Sequence, residues 1–392
     1  MRYLIAAIFL GAALRIGLLA ASYGWIPNGD PLNYLALAQS VAAGEGLVRY
    51  ENVYGGALRA FYPPLYPLLL GILHATSQSA ILAVNFAIDL CATLLLVRLG
   101  TELGRRSTGF FIGAAYILWP LNILSATAPQ KEGLSTLLLI LGACLLIRAS
   151  RKPSVPASLL FGSTVGLQGL TQPALLPLPG LFAIFLFKQF DTRDWWKMVS
   201  VAVGACALVM LPWWIRNYLI FGQFVPLTTS GGLSLWVGVF SPTGGWIPPK
   251  PSFLVGQELE IGRLAAREAW SWIQQHPFEY LSRCLMKVAR TLLGTGWALD
   301  RLLITTHMPV ALLKPPILAL NVLLSAAAAV GLVIGRGISR RLLLACTVHL
   351  FLFQMWFEVA ERHAYYLVPF MMLCAVAGWE QMRRSKPDTA TP

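Results

Sequence analysis

The chain has 392 residues, of which 57% are hydrophobic and only 12% are charged, and its mean hydropathy is +0.65. Soluble domains carry about 25% charged residues, so this composition excludes a soluble globular protein and predicts an integral membrane protein. The net charge of +13 does not indicate nucleic-acid binding, because much of the excess lies in short clusters between apolar runs, where it sets the orientation of helices.

The first apolar run covers residues 3–21 and contains Arg15. We interpret it as a retained membrane helix with its N-terminus inside, because an arginine within the run argues against a cleaved signal peptide. A charged side chain in hydrocarbon requires a partner or a polar cavity, and Asp89 in a later apolar run is one candidate partner. The alternative is that Arg15 extends to the outer interface.

Apolar runs of roughly 20 residues fit α-helices that cross ~30 Å of hydrocarbon. With the Lys/Arg clusters placed on the inner side, the pattern predicts about ten membrane helices and two cytoplasmic termini. The predicted fold class is therefore an all-α integral membrane protein, with a single membrane domain over 1–392. The expected location is a bacterial inner (plasma) membrane. The predicted spans are 3–21, 81–97, 110–124, 132–147, two within 156–187 that break at Thr171-Gln172-Pro173, 199–215, 317–334, 342–357 and 364–379.

Two long polar segments are predicted on the outer face. The first outer loop, 23–64, contains an amphipathic pattern over 32–43 that predicts a helix lying in the membrane interface. The long outer loop, 218–309, becomes helical from about residue 255 and interleaves arginines with tryptophans. That composition is typical of helices that lie on a phospholipid surface.

Several short motifs follow one another along the chain, and the topology places all of them outside. They are Asp30-x-x-x-Tyr34, Tyr62-Pro63-Pro64-Leu65-Tyr66-Pro67, Glu132, Pro212-Trp213-x-x-Arg216-Asn217 and Arg362-x-x-Tyr365. In this order they resemble the GT-C membrane glycosyltransferases. The similarity is to family 39 in particular, which holds the protein O-mannosyltransferases and the lipid A aminoarabinose transferases.

The resemblance implies a transferase that takes a sugar from a polyprenyl- or dolichyl-phosphate donor and passes it, with inversion, to an acceptor hydroxyl. A hydroxyl is a poor nucleophile at neutral pH, so a carboxylate must accept its proton as it attacks. Asp30 is the candidate catalytic base. The alternative is that Asp30 caps the helix beginning near Pro31, and the two roles are compatible.

The leaving phosphate needs cations, and arginine binds phosphate oxygens bidentately. The candidate donor-binding residues are Arg216 and Arg362, then Lys131 and Arg59, together with Asn217, Tyr34 and Tyr62. Tyr62 departs from the family pattern, which often has Lys or His directly before the Pro-Pro-Leu. The alternative for the basic residues is contact with lipid headgroups.

Glu132 is a candidate ligand for a divalent metal ion or an orienting group for the donor. The alternative is a carboxylate favoured at a helix start by the helix dipole. The sequence names no cofactor and leaves metal dependence open. The expected partners are a polyprenyl-phosphate sugar, a lipid, glycan or protein acceptor and membrane lipids, with no nucleic acid.

Two other functional classes fit a multi-span chain. A lipid or solute transporter (a flippase, for example) would explain intramembrane charges and proline-broken helices, and a non-catalytic scaffold would explain the helices alone. Against a transporter, no internal repeat is visible, and the unusual charges gather on the outer side instead of the bilayer midplane. We therefore expect a glycosyltransferase with an outward-facing site.

Overall fold

The computed structural model of the chain describes residues 1–22, 24, 27, 29–50, 55–241, 255–294 and 310–385. Asn28, beside the first motif, and parts of the long outer loop (242–254 and 295–309) lie outside the described residues. The described residues form sixteen α-helices and no β-strand longer than an isolated bridge. The helices are α1 (Arg2–Ala21), α2 (Gly29–Ala42), α3 (Leu65–Ile72), α4 (Gln78–Leu103), α5 (Arg106–Ile117), α6 (Pro120–Ser125), α7 (Glu132–Arg151), α8 (Val155–Thr171), α9 (Pro177–Leu186), α10 (Thr192–Phe221), α11 (Gly231–Phe240), α12 (Glu258–Gln275), α13 (Pro277–Leu293), α14 (Val310–Ile334), α15 (Ile338–His349) and α16 (Leu367–Ser385).

The all-α membrane class is confirmed. Five helices, α1, α4, α7, α10 and α14, are long and apolar enough to cross a membrane. The count of ten spans stays a prediction, because several predicted spans are built from shorter pieces. The predicted span 110–124, for example, is divided between α5 and α6 at Pro120, whose ring nitrogen cannot donate a helical hydrogen bond.

The predicted break within 156–187 is confirmed. Helix α8 ends at Thr171, a 3₁₀ turn covers Pro173–Leu175, and α9 begins at Pro177. A helix also occupies the amphipathic part of the first outer loop, where α2 starts three residues earlier than the predicted 32–43. The placement of α2 and of the long outer loop in the membrane interface stays a prediction.

Glycines allow the helices of the bundle to pack closely. Gly162 of α8 lies against the backbone of Ala202 in α10, and Gly109 of α5 lies against Val97 and Thr101 of α4, with no room for a Cβ atom at either glycine. Small residues at such contacts are typical of membrane helices, since lipid tails provide no hydrophobic force between them. Close packing of α4, α5, α7, α8 and α10 builds the rigid base of the site described below.

A buried ion pair joins α1 to that base. Arg15 is 1% exposed, and its Nη2 lies 2.7 Å from Asp89 Oδ2 in α4. Its Nη1 donates to the carbonyls of Ile117 at 3.0 Å and Gly11 at 3.1 Å. Of the two alternatives for Arg15, the structure shows the pairing with Asp89, and the contacts of Arg15 connect α1, α4 and the end of α5.

We predict that Asp89→Asn lowers the free energy of unfolding by about 3–5 kcal/mol, because it leaves a buried arginine without its counter-charge. The matched control is Glu102→Gln in the same helix, which removes an exposed ion pair to Arg151 with an N–O distance of 2.5 Å and should cost less than about 1 kcal/mol. Unfolding in detergent micelles measures both. Equal losses in the two variants would contradict a special role for the buried pair.

Candidate active site

Five charged side chains from three distant parts of the chain meet in one cluster, which we call the Arg362 cluster. Asp30 lies in the first turn of α2, Lys131 and Glu132 lie at the start of α7, and Glu358 and Arg362 lie between α15 and α16. The fold therefore brings together three candidate site residues, Asp30, Glu132 and Arg362. The predicted topology places them on three separate outer loops.

Arg362 stands at the centre of this cluster and is 8% exposed. Its Nη2 lies 2.5 Å from Asp30 Oδ2 and 4.0 Å from Glu358 Oε1, and its Nε lies 3.7 Å from Glu132 Oε1. Burial lowers the pKa of Arg362, but the carboxylates of Asp30, Glu132 and Glu358 outweigh burial, and the net shift is upward. The guanidinium therefore stays charged.

A wall of tyrosines borders the cluster on the side of Lys131. The ammonium of Lys131 lies 5.3 Å from the ring centroid of Tyr34, which is fully buried. The rings of Tyr62 and Tyr66 pack edge-on against Tyr34, with centroids 5.4 and 5.8 Å away. Burial lowers the pKa of Lys131, while Tyr34, Glu132 and Asp30 raise it by more, so this second cation is also retained.

Tyr62 is held in position by the first turn of α2. The side-chain amide of Asn33 donates to the Tyr62 hydroxyl at 2.5 Å and to the Gly29 carbonyl at 2.8 Å. Tyr62 is half-buried, and its ring belongs to the same wall as Tyr34. The structure thus places Tyr34 and Lys131 close enough to Asp30 to interact with its charge, and Tyr62 contacts the turn of α2 that carries Asp30. Their role in donor binding stays a prediction.

Glu132 is the first residue of α7 and is 6% exposed. One carboxylate oxygen faces Arg362, and the other has no hydrogen-bond partner within the described residues. Glu132 also lines a small cavity of about 30 Å³, whose other lining residues are Asn85, Asp89, Asn122, Ser125, Ala126, Gln130, Gly133 and Tyr365. Glu132 therefore combines a helix-start position with an ion pair in the cluster. Across the described parts of the chain, no three His, Cys, Asp or Glu side chains are arranged to hold a metal ion, and the metal role of Glu132 stays a prediction.

Arg216 and Asn217 make different contacts, and we call this second set the loop clasp. Arg216 Nη2 donates to the carbonyls of Leu47 at 2.9 Å and Arg59 at 3.0 Å, and Asn217 Nδ2 donates to the Val225 carbonyl at 3.0 Å. No hydrogen bond or ion pair described for Arg216 reaches the Arg362 cluster. The contacts of Arg216 thus fasten the first outer loop to the end of α10, and Asn217 holds the segment that follows α10. The role of both residues in donor binding stays a prediction.

Glu258, at the start of α12, completes the loop clasp. It is 3% exposed and accepts the backbone N–H groups of Arg59 at 3.1 Å and Ala60 at 3.2 Å, and the Thr229 hydroxyl at 3.3 Å. Burial raises the pKa of Glu258 despite these donors and Arg216. The side chain of Arg59 is exposed, so the contribution of this residue to the clasp is through its backbone.

Glu358 is the cluster residue that the sequence analysis did not single out. Its N–H donates to the Ser234 carbonyl of α11 at 2.8 Å. The adjacent Phe357 carbonyl accepts Lys287 Nζ of α13 at 3.0 Å. Burial and the charge of Asp30 raise the pKa of Glu358. The sequence did contain one indication of its role, because Glu358 lies four residues before Arg362 in the same predicted outer loop.

His363 is next to Arg362 and takes the neutral form. Burial lowers the pKa of this imidazole well below its usual value, and the cations Arg362 and Lys131 lower it further. Its Nδ1 accepts the N–H of Ala360 at 3.1 Å, which fixes the turn that carries Arg362. The observed role of His363 is therefore to shape the loop.

The model of glycosyltransferase family 87 matches residues 60–282, which is more than half of the chain. The chain belongs to glycosyltransferase family 87. The matched range includes Lys131 and Glu132, and also Arg216, Asn217 and Glu258 of the loop clasp. Asp30, Glu358 and Arg362 lie outside it, as does Arg59.

One solved structure supports the fold of this family 87 protein, and a second is similar to it over a large part of its length. The oligosaccharyltransferase of Archaeoglobus fulgidus, solved with zinc and sulfate, is 14% identical with a TM-score of 0.60, and the match covers 96% of this chain and 48% of that one. This chain therefore spans about half the length of that protein. ArnT from Cupriavidus metallidurans, bound to undecaprenyl phosphate, is also 14% identical, with a TM-score of 0.46 and coverage of 96% and 77%. No curated protein matches the sequence.

The family match and the shared fold confirm the expected GT-C class. The family within that class is 87, whereas the sequence motifs resembled family 39. The difference reflects how short those motifs are.

We predict that Glu258→Ala loosens the first outer loop, because the amides of Arg59 and Ala60 lose their acceptor. Each unsatisfied buried group costs about 1–3 kcal/mol, so hydrogen exchange in a peptide covering 55–62 should rise clearly. Glu260→Ala is the control, since Glu260 lies on the same helix and is exposed. Unchanged exchange in the Glu258 variant would show that the clasp does not depend on this carboxylate.

Proposed function

We propose that this protein transfers a sugar from a polyprenyl-phosphate donor to an acceptor hydroxyl, with inversion, at the Arg362 cluster. The observation that carries the proposal is the contact of Asp30 with Arg362, which places a candidate base and a candidate phosphate ligand 2.5 Å apart. Family membership supports glycosyl transfer as the reaction class.

Asp30 is the group proposed to accept the proton. The acceptor oxygen attacks the anomeric carbon on the face opposite the phosphate, the bond from that carbon to the phosphate oxygen breaks, and the phosphate leaves with the electron pair. The hydroxyl proton passes to the Asp30 carboxylate as the new bond forms. The Asp30 side chain is 29% exposed, so a substrate can reach it.

Arg362 and Lys131 are proposed to hold the phosphate. Charge must be stabilised on the leaving oxygens, and cations fixed in a buried site do this without reorganising. A guanidinium offers parallel donors to two phosphate oxygens. Both side chains keep their charge in this site, since the net pKa shift of each is upward.

The tyrosine wall is proposed to contact the sugar or the first isoprene units of the donor. Binding sites for small molecules combine apolar and aromatic surface with a few fixed polar groups. Tyr34, Tyr62 and Tyr66 provide the surface, and the hydroxyl of Tyr62 is fixed by Asn33. Tyr62 stands where members of the resembled family often carry Lys or His directly before the Pro-Pro-Leu.

The orientation of the site is also part of the proposal. The Lys/Arg clusters predict a cytoplasmic side that carries both termini, which places the Arg362 cluster on the outer face of a bacterial inner (plasma) membrane. A donor presented there would be a membrane lipid, and the acceptor would be a lipid, glycan or protein outside the cytoplasm.

We predict that Asp30→Asn reduces turnover by about 10²–10⁴-fold, the range of a lost general base, and that the variant still folds, because Glu132 and Glu358 remain beside Arg362. Sugar release from a panel of polyprenyl-phosphate sugars measures this effect. Glu45→Gln is the control, since Glu45 is an exposed carboxylate of the same loop. Full activity in the Asp30 variant would contradict the proposed base.

We predict that Arg362→Gln raises the donor KM about tenfold to a hundredfold. This range corresponds to the free energy lost when a hydrogen bond to a charged group is removed. Arg216→Gln should instead lower the melting temperature and leave the donor KM nearly unchanged, because its described contacts are with backbone carbonyls. Steady-state kinetics with varied donor, together with thermal unfolding, separates the two. The reverse pattern would place the phosphate at the loop clasp.

A further inference from the structure

Arg362 is already engaged with anions in the structure. Carboxylates of Asp30, Glu132 and Glu358 lie within 4.0 Å of its nitrogens, and the contact with Asp30 is much the shortest. A phosphate that binds this guanidinium bidentately needs N–H groups on two neighbouring nitrogens, and Asp30 accepts one N–H of Nη2. A phosphate that approaches from the side of Asp30 therefore has to displace this carboxylate.

The same contact also occupies the proposed base. Oδ2 of Asp30, which accepts from Arg362 Nη2 at 2.5 Å, is an oxygen that would otherwise face an acceptor hydroxyl. The group that must hold the leaving phosphate and the group that must take the proton thus satisfy each other when no donor is bound. Asp30 Oδ2 and this N–H of Arg362 are freed together when the contact opens.

We propose that Asp30 and the donor phosphate compete for Arg362, so that the bound phosphate replaces Asp30 beside the guanidinium and frees Asp30 Oδ2 to accept the proton. The competition rests on the proposed function. It releases this oxygen of the base in the complex that holds the donor. No covalent bond forms or breaks in this exchange of ion-pair partners.

The surroundings of Arg362 allow the exchange with little movement. Glu132 is fixed at the start of α7 and remains beside Nε, and Glu358 is fixed by the Ser234 and Lys287 contacts of its own loop. Two carboxylates therefore keep the guanidinium in place while the third is replaced. Lys131 remains close enough to Asp30 to interact with its charge, so the released carboxylate keeps a neighbouring cation.

A permanent ion pair is the competing explanation, and binding of a lipid phosphate separates the two. Full-length protein in nanodiscs of neutral lipid would be titrated with undecaprenyl phosphate, with bound lipid read by native mass spectrometry. If Asp30 competes, Asp30→Asn should bind the probe about tenfold to a hundredfold more tightly, the equivalent of one charged hydrogen bond. Thermal unfolding checks the fold, and Asp30→Ser is the second variant if asparagine destabilises it.

Two controls separate competition from a general change of charge. Glu358→Gln removes a carboxylate that is 4.0 Å from the same nitrogen, so its gain should be smaller than that of Asp30→Asn. Glu102→Gln removes a 2.5 Å ion pair with Arg151 and should leave affinity unchanged. In an Arg362→Gln background, Asp30→Asn should bring no gain, because the two residues act as one coupled pair.

The other possible outcomes contradict either the competition alone or both the competition and the proposed donor site. If wild type binds the probe and Asp30→Asn binds it equally or more weakly, the competition is wrong and the proposed function stands. If the gain persists without Arg362, the effect is general electrostatics and the competition is also wrong. If neither wild type nor Asp30→Asn binds the lipid phosphate, both the competition and the proposed donor site fail.

Discussion

The ion pair between Asp30 and Arg362 joins residues 332 positions apart in the sequence, and the geometry of the candidate site depends on it. Arg362 is almost buried, so its charge has to be compensated where it lies, and the carboxylates arranged around it fix the relative positions of α2, α7 and the loop before α16. A buried arginine without partners would be strongly destabilising. The contact that could serve chemistry is therefore also one that holds the outer parts of the bundle together.

The rest of the structure holds these segments in position. Helix α7 provides Glu132 from a base packed through glycine contacts and secured at α1 by the Arg15–Asp89 pair. The loop clasp attaches the first outer loop, whose α2 carries Asp30, to α10 and α12. On the opposite side, Lys287 of α13 donates to carbonyls at the end of α11 and at Phe357. These contacts surround the cluster with fixed backbone, as electrostatic stabilisation of a transition state requires.

Local sequence patterns predicted the membrane class, the break after Thr171 and the Arg15–Asp89 pair, because hydropathy, proline and isolated intramembrane charge each leave a local signal. Asp30, Glu132 and Arg362 were also predicted one at a time. Their mutual contact was not, since ion-pair partners are chosen by packing between distant segments. Glu358 was overlooked for the same reason, and Arg216 was ranked with Arg362 although its contacts are carbonyls 157 and 169 residues away. The sequence shows which residues are charged, but it does not show the neighbouring groups that determine what each charge does.

A structure of the full chain with undecaprenyl phosphate bound, determined by cryo-electron microscopy in nanodiscs, tests the central claim most directly. The account predicts phosphate density within hydrogen-bond distance of the Arg362 guanidinium and beside Lys131, with Asp30 Oδ2 no longer in contact with Arg362 Nη2. Phosphate bound at the loop clasp, with the Asp30–Arg362 contact intact, would contradict the account and would make that ion pair a structural feature alone.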